Sequence, residues 1–251
     1  MCNPASFVLT KDNVFWSKNT DHHNEIMEEN NLRDTFAGKP QILKVEITPN
    51  DGDLFSDINK WVFRFDQDIL PDWANKEKDE KRTRGALQGW CERKLISGVT
   101  QELTEGEFYV SGSAQINEVC GSAQIKRVSG SAQINYVYGS AQIKRVYGSA
   151  QINEVSGSAQ INEVSGSAQS KRVYGSAQIN YVYGSAQINE VSGSAQINEV
   201  SGSAQINAAG SATITKRGRG NSRVTLGAGS HAALLDRRNG LKITVAKKKR
   251  K

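Results

Sequence analysis

From Gly112 the chain reads Gly-Ser-Ala-Gln-Ile-Asn-Glu-Val-Cys120, Gly-Ser-Ala-Gln-Ile-Lys-Arg-Val-Ser129, Gly-Ser-Ala-Gln-Ile-Asn-Tyr-Val-Tyr138. Ten such nine-residue units run to Ser201, and an eight-residue Gly-Ser-Ala-Gln-Ile-Asn-Ala-Ala209 follows. A Gly-Ser pair in every unit, with apolar positions that follow no 3.6-residue period, excludes helix. Each unit reads instead as a short strand with a corner at Gly-Ser, Ala, Ile and Val facing inward and Gln and a polar pair facing outward. One such strand cannot bury its apolar face, so the units are expected to stack into a β-solenoid with Ala, Ile and Val columns as its core. Alternation holds from Ala114 to Ile116 but Val119 lies three residues on, which requires a bulge or bend at the polar pair and makes that pair a candidate second corner. A nine-residue coil is too small to enclose a core, leaving 18 or 27 residues per coil. The residue before each glycine runs Cys, Ser, Tyr, Tyr, Ser, Ser, Tyr, Tyr, Ser, Ser from Cys120 to Ser201. That pairing favours two nonamers, about 18 residues, per coil, with Tyr coils alternating with Ser coils. Five to six coils then give a stack of roughly 25 Å at the strand spacing of a β-sheet.

The repeat chemistry excludes several functions. Calcium-binding nonapeptide rolls need Asp, and none occurs between Gly112 and Ala209. Ice binding through ranks of Thr fails because the nonamers contain none, and a nucleic-acid mimic needs a strongly acidic face. The solenoid is therefore expected to act as scaffold, spacer or binding surface. Its binding candidates are Tyr136, Tyr138, Tyr147, Tyr174, Tyr181 and Tyr183, which as a ladder can stack on sugars, bases or another rod, or on one another along the solenoid. The Lys-Arg pairs at 126/127, 144/145 and 171/172, interleaved with glutamates, read as a mixed solvated surface.

Charge is segregated along the chain. Residues 1–111 carry 14 Lys+Arg and 20 Asp+Glu, residues 112–209 carry 6 and 5, and residues 210–251 carry 12 and 1, so −6, +1 and +11 sum to the net +6. Solenoid ends expose strand edges and need caps. Glu107 to Ser111 runs as a strand into the first repeat, so the head is the candidate cap at that end. At the other end the repeat decays through Gly210-Ser-Ala-Thr-Ile-Thr, and Ala233-Leu-Leu-Asp and Leu-Lys-Ile-Thr-Val flank Asn239-Gly240, the signal of a hairpin cap. Residues 246–251 form a solvated basic tail, in which Lys247, Lys248, Lys249 and Arg250 are candidates for contact with nucleic acid or another anionic surface. The organisation is thus an α+β head (1–111), the nonapeptide solenoid (112–209), its end and hairpin cap (210–245), and the tail.

In the head, Ser6 to Leu9 and Val14 to Ser17 read as a hairpin, and Asp21 as the N-cap of a helix from His22 to about Leu32. Gln41 to Thr48 and Trp61 to Phe65 alternate as strands. Asp72 to about Ile96 reads as a helix, broken or bent near Gly85 and Gly89. Removal of Met1 before a small residue would give Cys2 a free α-amine beside its thiol, the arrangement of an N-terminal nucleophile. His22 and His23, adjacent on a helix, cannot both face one site, so at most one serves as acid, base or ligand. Asp51, Asp53 and Asp57, and Asp66 with Asp68, are acid-rich loops without a complete ligand set, and no metal or other cofactor is expected.

The Met-Cys-x-Pro start, Phe-Val-Leu-Thr-Lys, Val-Phe-Trp-Ser, Asp66-Gln-Asp-Ile-Leu-Pro-Asp-Trp73 and Arg82-Thr-Arg-Gly-Ala-Leu, followed by Gly-Ser-Ala nonamers, resemble an uncharacterised group of phage and bacterial proteins. These join a small head to a tail of repeated Tyr-Gly-Ser-Ala-Thr-Val or similar units. Gln-Ile here stands where many members have Thr-Val, and the Lys-rich end is a second departure. The resemblance implies a phage or prophage setting and no particular activity. Two functions follow as expectations. One is a non-catalytic binding or structural protein with the head displayed on the solenoid, whose partner is a protein or a second copy. The other is an enzyme acting through Cys2, targeted to nucleic acid by the solenoid and tail. No readable secretory signal and no apolar run long enough to span a bilayer place the expected location in the bacterial cytoplasm or on a virion, away from membrane.

Overall fold

The computed structural model describes residues 5–36, 39–228, 230–238 and 242–246. The chain forms two compact units, Met1–Leu95 and Ile96–Lys251. The head holds β1 (Ala5–Leu9), β2 (Val14–Phe15), α1 (His23–Glu29), a short β3/β4 pair (Thr35–Phe36, Lys39–Pro40), β5 (Leu43–Thr48), β6 (Val62–Phe65) and α2 (Lys76–Lys94). Its antiparallel sheet runs β2-β1-β5-β6. Every residue of the interior strand β1 is buried, whereas β6 alternates, with Phe63 buried and Val62 exposed. Ile26 of α1 packs with Val8 and Ile42, and Trp90 of α2 meets Trp61 edge-on at 6.3 Å between ring centres.

One helix expectation is corrected. Asp21 does not cap α1, which begins at His23 with no side-chain cap bond. Its carboxylate instead accepts from Trp90 Nε1 at 2.9 Å and Lys94 Nζ at 3.0 Å. Lys94 is 1% exposed, so its ammonium needs a partner, and a carboxylate satisfies it better than a helix end would satisfy Asp21. The second helix is unbroken across Gly85 and Gly89. Asn75 caps it by accepting from Lys78 N–H at 3.0 Å, Glu77 and Asp79 start it, Arg93 and Lys94 end it, and Thr83, Leu87 and Trp90 are buried. That packing offsets the cost of two glycines, about 1 kcal/mol each.

The second unit is a β-solenoid. Its strands are β7 (Leu95–Ile96), β8 (Val99–Leu103), β9 (Glu107–Val110), then one per nonamer: β10 (Gln115–Val119), β11 (Gln124–Val128), β12 (Gln133–Val137), β13 (Gln142–Val146), β14 (Gln151–Val155), β15 (Gln160–Val164), β16 (Gln169–Val173), β17 (Gln178–Val182), β18 (Gln187–Val191) and β19 (Gln196–Val200). β20 (Gln205–Ala208), β21 (Thr213–Lys216), β22 (Arg223–Leu226), β23 (Ala233–Asp236) and β24 (Lys242–Val245) complete it. Even-numbered strands β8 to β22 stack into one parallel sheet. Odd-numbered strands β7 to β23 stack into the other, which β24 closes as an antiparallel edge. Residues 18 apart are neighbours throughout the nonamers, Ile116 beside Ile134 and Ile143 beside Ile161. Two nonamers make one coil, as the Tyr/Ser pairing favoured. The β23–β24 pair supplies the expected hairpin cap, with its Asn239-Gly240 turn outside the described residues.

The solenoid is longer than the repeat. β8 pairs in register with β10, and β9 with β11, although residues 96–111 contain no nonamer. At the other end β20 and β21 carry β22 and β23. The stack therefore has eight coils rather than five to six, and the division between units falls at Leu95/Ile96 instead of 111/112. A strand joins a stack by matching register and inward residues, which Leu103 and Val110 do without copying the nonamer.

The polar pair is a bend within each strand and not a second corner. Each nonamer strand runs unbroken through it, and burial falls on its second and fifth residues, Ile116 and Val119 in β10. The intervening Asn117 drops out of the ladder, which resumes at Glu118. The unpaired residue is present in both strands, so the 18-residue register holds while Ile and Val turn to the same side. The eight-residue unit is the natural control: β20 has four residues, alternates without interruption, and buries Ile206 and Ala208. Where five-residue strands meet four-residue ones, at β18–β20, β19–β21 and β9–β11, the register shifts.

Candidate functional site

The outward side chains of the nonamers form columns because residues 18 apart share a position in successive coils. Tyrosines fill the last position of every second coil, so two in one column, such as Tyr138 and Tyr174, are separated by Ser156, a spacing of about 9.6 Å. They form no aromatic ladder. Instead Tyr138 Oη donates to Glu118 Oε2 at 2.6 Å, Tyr174 Oη donates to Glu154 Oε2 at 2.9 Å, and Tyr183 Oη donates to Glu163. In each pair the glutamate lies twenty residues earlier, on the neighbouring coil. Tyr147 has Arg127 at the corresponding place and is half-buried. Glu154 also pairs with Arg172, so its two oxygens serve different columns.

These bonds fix phenols that stay in contact with solvent. Tyr136, Tyr138, Tyr174, Tyr181 and Tyr183 are 36–46% exposed. Tyr136 and Tyr138 flank the inward Val137, and Tyr181 and Tyr183 flank Val182, so an outward aromatic pair stands on each sheet. Hydrogen bonding to Glu118, then to Cys120, holds the Tyr138 phenol above its usual range, and Glu163 does the same for Tyr183. Donation to a carboxylate is lost on ionisation, so these phenols should ionise after an ordinary tyrosine, at a pH above about 10. Spectrophotometric titration should show a late phase, and Tyr138→Phe should remove part of it. An unchanged late phase would count against the Tyr138–Glu118 bond.

Sequence reading missed the asparagine columns. Asn135 Nδ2 donates to Asn117 Oδ1 at 3.2 Å and Asn153 Nδ2 to Asn135 Oδ1 at 2.7 Å on one sheet. On the other, Asn180 donates to Asn162 at 3.1 Å and Asn198 to Asn180 at 2.8 Å. Their signal was the recurrence of Asn 18 residues apart in the runs 117/135/153 and 162/180/198. Between these columns and the Gln columns lie shallow grooves. One, of about 230 Å³, runs past Gln124, Gln142 and Gln160 on one side and Lys126, Lys144 and Asn162 on the other.

The head's candidates do not assemble. His23 Nε2 lies 3.1 Å from the Val45 carbonyl and Nδ1 lies 3.3 Å from Asp66 Oδ2, which ties α1 to the sheet, while His22 is exposed. Asp51, Asp53 and Asp57 each accept a backbone N–H two residues on and so close their own turns. Among the described residues no three His, Cys, Asp or Glu side chains gather as a metal set. Cys2, Lys247, Lys248, Lys249 and Arg250 lie outside the described residues.

Burial, then the neighbouring Glu92 charge, pushes the Cys91 thiol up to about 11. Burial, then the bond Cys120 Sγ donates to Glu102 at 3.2 Å, raises Cys120. At neutral pH Cys91 holds roughly a hundredfold less thiolate than an ordinary cysteine. A thiol probe on the native protein should therefore leave Cys91 and Cys120 nearly unlabelled until denaturant is added. Rapid native labelling of either would contradict this.

No protein-family model matches the chain, and no curated protein or solved structure matches it either.

Proposed function

We propose that the chain is a non-catalytic binding and structural protein of a phage or prophage, in which the solenoid carries the head domain and docks a protein partner through its tyrosines. The observation that carries this reading is the set of phenols that are 36–46% exposed, three of which are anchored by glutamates of the neighbouring coil. An immobilised tyrosine presents a large amphipathic surface at little cost in side-chain entropy, and tyrosine is enriched at protein interfaces for that reason. Stacked parallel strands give the surface a stiff backing, since each coil is bonded to the next along both sheets. The phage setting rests on the resemblance of the head motifs and nonamers, and location on a virion or in the host cytoplasm follows from it.

The test is capture with tagged full-length chain from phage-producing host cells, alongside Tyr136→Ser/Tyr138→Ser and Tyr181→Ser/Tyr183→Ser. One protein should co-purify in fixed ratio and fall at least tenfold with one of the double variants. A partner retained equally by both variants overturns the tyrosine assignment. Light scattering of the pure chain identifies a second copy as the partner if the mass doubles and the same variants return it to one chain.

A further inference from the structure

The last coils carry a concavity of about 520 Å³ lined by Gly218, Arg219, Gly220, Arg237 and Arg238 alone. It forms where the nonamer is replaced by Arg217-Gly-Arg-Gly-Asn-Ser-Arg223. The loop is built in: Gly202 N–H donates to the Arg219 carbonyl at 3.0 Å, and Arg237 N–H donates to the Lys216 carbonyl at 2.9 Å. Gly220 has φ 121°, and a Cβ there would lie 2.4 Å from the Gly202 carbonyl oxygen, so backbone and not side chain forms that wall. Arg219 follows β21 and Arg237 follows β23, the strand paired with β21 one coil on, so the two side chains come from successive coils.

Its charge is compensated only in part, by Asp236 and by Glu199, whose Oε1 would lie 3.5 Å from a Cβ on Gly218. Asp236 is the one acid among residues 210–251, and it is taken by Arg238, whose Nε donates at 3.0 Å and Nη2 at 2.6 Å. Lys216 points inward and donates to the Ser222 carbonyl at 2.6 Å. Arg219 and Arg237 are exposed and have no acidic partner among the described residues.

We propose that this concavity binds the phosphate backbone of nucleic acid, with Arg219 and Arg237 each taking a phosphate of one strand and Arg238, held by Asp236, forming the wall between them. Guanidinium groups suit phosphate because their planar fork meets two oxygens at once. Two guanidinium groups presented from successive coils suit a chain that carries more than one phosphate rather than a lone ion. No apolar side chain lines it, as insertion into a bilayer would require. The proposal uses no residue of 247–251 and does not rest on the tyrosine surface.

The test is fluorescence anisotropy of the full chain with a labelled 30-nucleotide single strand and the matching duplex, across a salt series. Arg219→Ser/Arg237→Ser should lower the slope of log affinity against log salt by about 1.8 for duplex and about 1.4 for single strand, and weaken duplex binding about fiftyfold at 100 mM salt. Arg219→Lys/Arg237→Lys should keep the slope, which separates lost charge from lost fold, and circular dichroism should be the same for all three chains. Truncation after Ala246 should leave the Arg219/Arg237 effect in place. The proposal is overturned if the chain binds neither probe, if the serine variant keeps the full slope, or if anionic phospholipid vesicles bind while nucleic acid does not.

Discussion

Gly130→Ala should destabilise the solenoid by about 3–4 kcal/mol, against about 1–2 kcal/mol for Gly112→Ala. Both glycines lie in the left-handed region, φ 68° and 65°. That conformation penalises any side chain, so the cost at Gly112 is the conformational one alone: a Cβ there meets nothing within 4 Å. At Gly130 the Cβ would lie 2.8 Å from the Gly112 carbonyl oxygen and 2.9 Å from its nitrogen. Corner backbone stacks directly on corner backbone, and Ser131 N–H donates to the same Gly112 oxygen at 2.9 Å. The coil cannot move away without breaking that bond. Denaturant unfolding followed by far-ultraviolet circular dichroism measures both variants, and equal costs would mean that the corners are not in contact.

Ser170→Ile should stabilise the solenoid by about 2–4 kcal/mol. Ser170 stands where the ten other repeat strands have isoleucine. It lies between Ile152 and Ile188 in one column, is 1% exposed, and its hydroxyl has no hydrogen-bond partner. Isoleucine adds buried carbon and removes the unsatisfied hydroxyl in one step. The backbone already accepts that side chain one coil below and one coil above. A loss of stability on the same denaturant assay would show that the column differs at this coil.

The period, the 18-residue coil and the hairpin cap were legible because each is written as a recurrence or a turn dipeptide. The bend was half legible: Ala114, Ile116 and Val119 demanded an irregularity, but spacing alone does not separate a bend within a strand from a corner. Ladder neighbours decide it, and Asn117 drops out while Glu118 stays paired. The outer coils were hidden because Val99–Leu103 and Glu107–Val110 match the stack in register rather than in wording. In the candidate site, the tyrosine positions were visible, but the partner of each was not. Glu118 is twenty residues from Tyr138, and only the coil brings them within 2.6 Å. In the head, Asp21 looked like a helix cap because local sequence cannot register Lys94, 73 residues away. The arginine concavity read as part of a diffuse +11 segment; the fold is what sets Arg219 above one coil and Arg237 on the next.

The two-nonamer coil underlies every column described above, and paired cysteines test it directly. In a chain with Cys2, Cys91 and Cys120 replaced by serine, Gln142→Cys is combined in turn with cysteine at Gln151, Gln160 and Gln169. Gln142 and Gln160 are ladder neighbours on adjacent strands, about 4.8 Å apart, within the span of a disulfide. Mild oxidation should cross-link the 142/160 pair alone within each chain, as read by mass after reduction-sensitive digestion. Cross-linking of 142/169 in place of 142/160 would mean a 27-residue coil and would contradict the account.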